Sequence, residues 1–167
     1  MNRNIGIIIP SKWEIPSIFR SAGLASQKNR VHLYELQHIR FHIAFSGWGI
    51  YGGVKKTVDT LYETGLQTVL VIGFCSGINS KLNIGDIIIA DSVSEKNGTV
   101  IPVTGIDDVK NLELSGKSSQ RYQFGRIHSL PDTVVESMGI PGMAIDEESF
   151  DAVTACSRKG LRIIIAK

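Results

Sequence analysis

The stretch from Phe41 to Val93, FHIAFSGWGIYGGVKKTVDTLYETGLQTVLVIGFCSGINSKLNIGDIIIADSV, decides the fold. Its apolar run Phe41, Ile43, Phe45 breaks at a glycine-rich turn spanning Ser46 to Gly53. Val54, Val58, Leu61 and Tyr62 then recur at helical spacing until Gly65 stops them. Val69 to Gly73 reads as a buried strand, the turn Gly73–Gly77 follows, and Gly85-Asp86 opens a strand of three isoleucines. Strand, glycine turn, helix, strand and glycine turn is the order in which an open α/β sheet presents backbone N–H groups to a ligand at its strand ends. The expected fold class is therefore α/β, a three-layer α/β/α sandwich around a central mixed, twisted sheet. This block is expected to floor a small-molecule site.

Outward from this block, the 167 residues predict one domain, 1–167, with enough chain to bury about 70% of its unfolded surface. Ile5–Ile9 reads as a first buried strand, and Glu14-Ile15-Pro16 as the opening of a helix carrying Ile15, Ile18, Phe19 and Ala22 on one face. Glu14 at that helix mouth is either a charge suited to the helix dipole or a chemical group. Val31–Leu36 and Ile39–Phe45 read as a hairpin across Gln37-His38, with His38, Arg40 and His42 on its solvated face. Beyond Val93 the sequence predicts a short strand at Thr99–Val103, then a loop to Arg121. Strands at Tyr122–Ser129, Gly142–Asp146 and Leu161–Ala166 follow, with helices at Thr133–Met138 and through Phe150, Val153 and Cys156. A last apolar strand with no covering helix points to self-association, as do the aromatic residues Trp48 and Tyr51.

Composition excludes several classes. A net charge of +2, with basic residues scattered among acids, gives no stripe for nucleic acid. The longest apolar runs are strand length, far short of the ~20 residues of a membrane helix, and MNRNIGIIIP has no signal-peptide pattern. Cys75 and Cys156 lack metal-ligand spacing and suit a reducing compartment; both are expected as core thiols in a cytoplasmic protein. No metal and no cofactor are expected. Gly47-Trp48-Gly49-Ile50-Tyr51-Gly52 is a literal G-x-G-x-x-G between strand and helix. The dinucleotide fingerprint also needs an acid at the end of the next strand, and Gly73-Phe74-Cys75 supplies none, which argues against bound NAD.

Four segments, in order, resemble the nucleoside phosphorylase/nucleosidase superfamily: Ile5-Gly6-Ile7-Ile8 with Glu14; Ser46-Gly47-x-Gly49; Gly73-Phe74-Cys75-Ser76-Gly77 with Leu82-x-Ile84-Gly85-Asp86-Ile87; and Ala144-Ile145-Asp146-Glu147-Glu148-Ser149. Within it the chain is most similar to the methylthioadenosine/S-adenosylhomocysteine nucleosidases. The resemblance implies cleavage of the N-glycosidic bond of a purine nucleoside. It implies that Glu14 activates the attacking water and that Glu148 holds the ribose hydroxyls. Ser46, Gly47, Phe74, Cys75, Ser76 and Glu147 would complete the substrate contacts, Glu147 standing where a methionine usually packs beneath the sugar. An oxocarbenium-like sugar is stabilised by such carboxylates, and the water needs a positioned base. Family members commonly form dimers, so a homodimer is expected.

The departures from the family also carry expectations. These nucleosidases protonate the departing purine with an aspartate in a segment resembling Arg-Ala-Ile-Ser-Asp. Lys167 falls on its arginine and the sequence stops there. The residues His128–Thr133 offer no counterpart to the aromatic ring that stacks on the base. Phe74 occupies the position of the phosphate-binding serine, which favours hydrolysis over phosphorolysis. The alternative to a nucleosidase is a degenerate member that binds a nucleoside or only assembles, without turnover. A nicotinamide oxidoreductase is the third reading, and only the glycosidase needs both Glu14 and Glu148.

Overall fold

The computed structural model describes residues 3–28, 30–47, 53–111, 121–130 and 142–167. Three isoleucine- and valine-rich strands lie at its centre: β1 (Arg3–Ile9), β5 (Thr68–Ile72) and β11 (Arg162–Ala166). All three run parallel, with Ile7 opposite Leu70 and Leu70 opposite Ile164. Successive side chains of a strand point to opposite faces, so each strand feeds two cores. Ile8, Val69, Val71, Ile163 and Ile165 belong to the larger core; Ile7, Ile9, Leu70 and Ile72 belong to the smaller.

Helices cover both faces, giving the three layers. On one side α2 (Val54–Tyr62) buries Val54, Val58 and Leu61, and α4 (Ser149–Arg158) buries Ala152, Val153 and Cys156. On the other, α1 (Ser17–Ala22) inserts Phe19 between Tyr34 and Phe41, with ring centroids 5.8 and 5.0 Å away. The helix α4 ends at Gly160, whose φ of 65° lets the Leu161 N–H reach back to the Cys156 carbonyl at 3.0 Å. Tyr62 departs from the expected helix face. It is exposed, with the Lys159 ammonium 4.6 Å from its ring centroid, because its position lies at the solvent edge of the apolar stripe.

Eleven strands of the described residues join in one sheet. Its order begins with β2 (Ser26–Lys28), β3 (Val31–Leu36), β4 (Ile39–Phe45), β1, β5 and β11. It continues with β7 (Ile87–Glu95), β9 (Tyr122–Ser129), β10 (Ala144–Asp146) and β6 (Ser76–Gly77); β8 (Val100–Pro102) pairs with β7 off this path. The hairpin β3–β4 turns at Gln37-His38 as the sequence predicts. The last strand, expected to lack a covering helix, instead packs against α4, and it lies between β5 and β7. The three residues 73–75 link β5 to β6, and four strands lie between these two in that order. So short a link obliges the sheet to curl back on itself, and this sets β10 and its acidic end against the ends of β5 and β11.

Two elements escaped the sequence pattern. The strand β2 is polar and three residues long, and α3 (Ile106–Lys110) makes a single turn inside the stretch expected to be loop. The expected helix at Thr133–Met138, and Trp48 and Tyr51, lie outside the described residues. No helix of the described residues is long and apolar enough to cross a membrane. Ile163, fully enclosed between β5 and α4, tests the core: Ile163→Ala should lower the unfolding free energy by about 2–5 kcal/mol in a urea titration.

Candidate functional site

Because β4, β1, β5 and β11 are parallel, their carboxyl ends lie along one edge: Ser46, Pro10, Gly73 and Lys167. Ligands of open α/β sheets bind outside that edge. Ser46 and Gly47 are stitched to β1 there, their N–H groups donating to the Ile9 and Pro10 carbonyls at 3.1 Å. Ser46 is buried and donates its hydroxyl to the Gly47 carbonyl at 3.1 Å, so that hydroxyl is a turn-forming group.

Glu14 does not open a helix. The residue before a proline is driven from the helical region, and Ile15 accordingly has ψ 120°. Helix α1 therefore starts only at Ser17, and Glu14 sits upstream in a single 3-10 turn, Lys12–Glu14, after the cap residue Ser11. The helix-dipole account of Glu14 is thereby removed, and its carboxylate is turned towards the sheet edge. There Oε2 accepts the Phe74 N–H at 2.8 Å. Gly73 makes this approach feasible. A Cβ at that position would lie 2.8 Å from Glu14 Oε2, 3.0 Å from Lys167 Nζ and 3.2 Å from the Pro10 ring. Carboxylate and ammonium thus press on the same backbone.

Lys167 is the centre of the second half of the site. Its backbone is clamped to β7 in both directions, donating to the Ile88 carbonyl at 2.9 Å and accepting from Ile88 N–H at 2.7 Å. Its side chain is fully buried, and Nζ stands 3.1 Å from both Asp146 Oδ2 and Glu148 Oε2. Burial alone would lower the ammonium's pKa, but the charges of Asp146 and Glu148 and their hydrogen bonds outweigh it and the pKa is raised. Burial raises the Glu148 carboxyl above its ordinary range; Lys167 opposes that rise, while Asp146 and Glu147 add to it.

The other residues singled out from sequence divide by role. Phe74 contributes its backbone N–H, while its ring is 78% exposed. Cys75 is half-buried rather than a core thiol, and burial with the nearby Asp146 charge pushes its pKa up to about 11, against the pull of Lys167. Ser76 is exposed on β6, opposite Ile145. Glu147 is half-buried beside Glu148. An open cavity of about 670 Å3 adjoins the cluster, walled by Phe74, Cys75, Leu82, Ile84, Asp86 and Lys167 among others. Glu14, Asp146 and Glu148 are not among the residues lining it. Among the described residues, no group of three or more His, Cys, Asp or Glu side chains is placed to hold a metal ion.

Sequence reasoning had not credited Asp146 and Lys167 as site residues. The available signal was a charged residue closing each of two short apolar strands, which points to a partnered buried charge.

No protein-family model matches the chain, and no curated protein matches it in sequence. Solved structures do match. The native futalosine hydrolase of Helicobacter pylori strain 26695 superposes with a TM-score of 0.84 at 16% identity, over 100% of this chain and 87% of that one. The 5′-methylthioadenosine/S-adenosyl homocysteine nucleosidase of the same organism gives 0.85 at 16% identity, over 99% and 84%. Its Campylobacter jejuni counterpart gives 0.81 at 14% identity, over 99% and 84%. The chain has the nucleosidase fold. The resemblance stated from the four sequence segments is borne out at that level, as is the expected mixed-sheet α/β architecture.

Within this nucleosidase fold Gly73 is the tightest point of the site. Gly73→Ala should drive Glu14 off the Phe74 N–H and destabilise the protein by about 1–3 kcal/mol, measured by urea unfolding.

Proposed function

We propose that the protein hydrolyses the N-glycosidic bond of a purine nucleoside. The observation that carries this reading is the convergence of Glu14 and Glu148 around Gly73 and Lys167, at the carboxyl edge of a sheet with the nucleosidase fold. A futalosine hydrolase and methylthioadenosine/S-adenosylhomocysteine nucleosidases share that fold, and the Colwellia psychrerythraea nucleosidase was solved with adenine bound. In the proposed reaction water adds to C1′ of the ribose, and Glu14 accepts its proton. The electron pair of the glycosidic bond passes to the base, which leaves with a proton taken from solvent water, and Glu14 returns the proton it accepted to solvent. Two nearby carboxylates favour the cationic, oxocarbenium-like sugar between bond breaking and bond making. Glu148 binds the ribose hydroxyls, and Ser46, Gly47, Phe74, Cys75, Ser76 and Glu147 form the surrounding wall.

The same reading includes a cytoplasmic, single-domain protein working as a homodimer. Trp13 and Phe74, 84% and 78% exposed beside Glu14 and its backbone partner, support a second copy covering this edge.

The test is chromatographic release of free base from methylthioadenosine, S-adenosylhomocysteine, adenosine and inosine, with and without phosphate. Wild type should release base without phosphate, and Glu14→Gln should lower the rate by about 10²–10⁴-fold, the usual contribution of a positioned base. Release that requires phosphate would replace hydrolysis by phosphorolysis. No release from any substrate, with a nucleoside still raising the melting temperature, would leave binding without turnover.

A further inference from the structure

Asp146 and Glu148 share one ammonium, yet their surroundings divide their roles. Asp146 accepts four hydrogen bonds. Its Oδ1 takes Ser129 Oγ at 3.0 Å and the Ser149 N–H at 3.2 Å; its Oδ2 takes the Ser149 hydroxyl and Lys167 Nζ at 3.1 Å. Four donors are about what an ionised carboxylate accommodates, so Asp146 has no capacity left for a substrate. Ser129 in turn accepts the Phe150 N–H at 3.2 Å, so the network joins the end of β9, the start of α4 and the end of β11. Glu148 is bonded to Lys167 through Oε2, and Oε1 takes no part in that bond. Its side chain is 10% exposed, against 1% for Asp146 and none for Lys167.

We propose, on the nucleosidase reading above, that Asp146 and Lys167 are positioning residues for Glu148. Asp146 anchors the Lys167 ammonium, and the ammonium holds the Glu148 carboxyl group in one orientation through Oε2, with its second oxygen presented to the ribose hydroxyls. A lysine side chain has several rotatable bonds to fix and, unlike an arginine fork, carries no built-in direction. Asp146 and the backbone clamp on Ile88 supply that direction here. The arrangement is one cation between two anions, so Glu148 feels an attraction and a repulsion at once. The other charge acting on Glu148 is Glu147 on its own segment. Cys75 on the link after β5 feels Asp146 and Lys167, Glu14 shares the Gly73 backbone with Lys167, and Asp151 on α4 is paired with Lys55 at 3.2 Å.

This geometry makes an asymmetric prediction that a simple structural pin does not. Asp146→Asn keeps the shape but removes the repelling charge, leaving Lys167 to Glu148 alone. Lys167→Met keeps the stem but removes the attraction. The Glu148 carboxyl should titrate about one pH unit or more lower in the first variant and as much higher in the second. Lys167→Arg, which restores a cation, should return it towards the wild-type value. The measurement is carbon-13 NMR of the full chain labelled at glutamate Cδ, with the Glu148 signal assigned by its loss in Glu148→Gln. It needs no substrate, so its outcome is separate from whether base is released. If Asp146→Asn leaves the titration unchanged or raises it, the proposal is overturned. Asp146→Asn alone decides the matter if Lys167→Met does not fold. Where wild type releases base, Asp146→Asn should also lower kcat/KM by about 10²-fold, the usual cost of a misplaced binding group; an unchanged kcat/KM would overturn the positioning role.

Discussion

One buried ammonium between two buried carboxylates holds this end of the molecule together. Taking a lysine and two acids out of water costs several kcal/mol per ion, and only close pairing offsets it. Lys167 meets the requirement because β11 ends there, clamped to β7, with the acidic end of β10 facing it. The carboxylates meet it because Asp146 is saturated by Ser129, Ser149 and Lys167. The cluster therefore depends on backbone ends that are distant in sequence being brought to within one side chain of each other.

Curvature of the sheet brings them there. A flat sheet of this strand order would hold β10 well away from β5, yet only the link 73–75 separates β5 from β6, the partner of β10. The same link carries Gly73, against which Glu14 and Lys167 press from different elements, and the Phe74 N–H that Glu14 accepts. Fold closure and site assembly are consequences of one short connection. A side chain on Gly73 would disturb both.

At Glu148 burial outweighs pairing, whereas at Lys167 pairing outweighs burial. Glu148 stays above its ordinary range although a cation touches it, since desolvation and the neighbouring Asp146 and Glu147 charges together exceed what Lys167 supplies. Its carboxyl group is thus acted on by opposing influences, burial and two anions on one side and one ammonium on the other.

The amino-acid sequence alone determined the layers of this protein. Continuous apolar runs at Ile5–Ile9, Val69–Ile72 and Ile163–Ala166, and the helical spacing of Val54, Val58 and Leu61, report burial by residues adjacent in the chain, so they are legible without coordinates. The glycine turn Gly73–Gly77, whose first residue Glu14 approaches, was legible from its residue types. The polar strand β2 and the short helix α3 were not, because their conformation is set by neighbours rather than by their own pattern. Only the tertiary structure decided that β11 is central, that Glu14 precedes its helix, and that Asp146 and Lys167 belong to the site. The meaning of a charged residue at a strand end depends on what lies across the curled sheet, and no local periodicity encodes a partner so far along the chain.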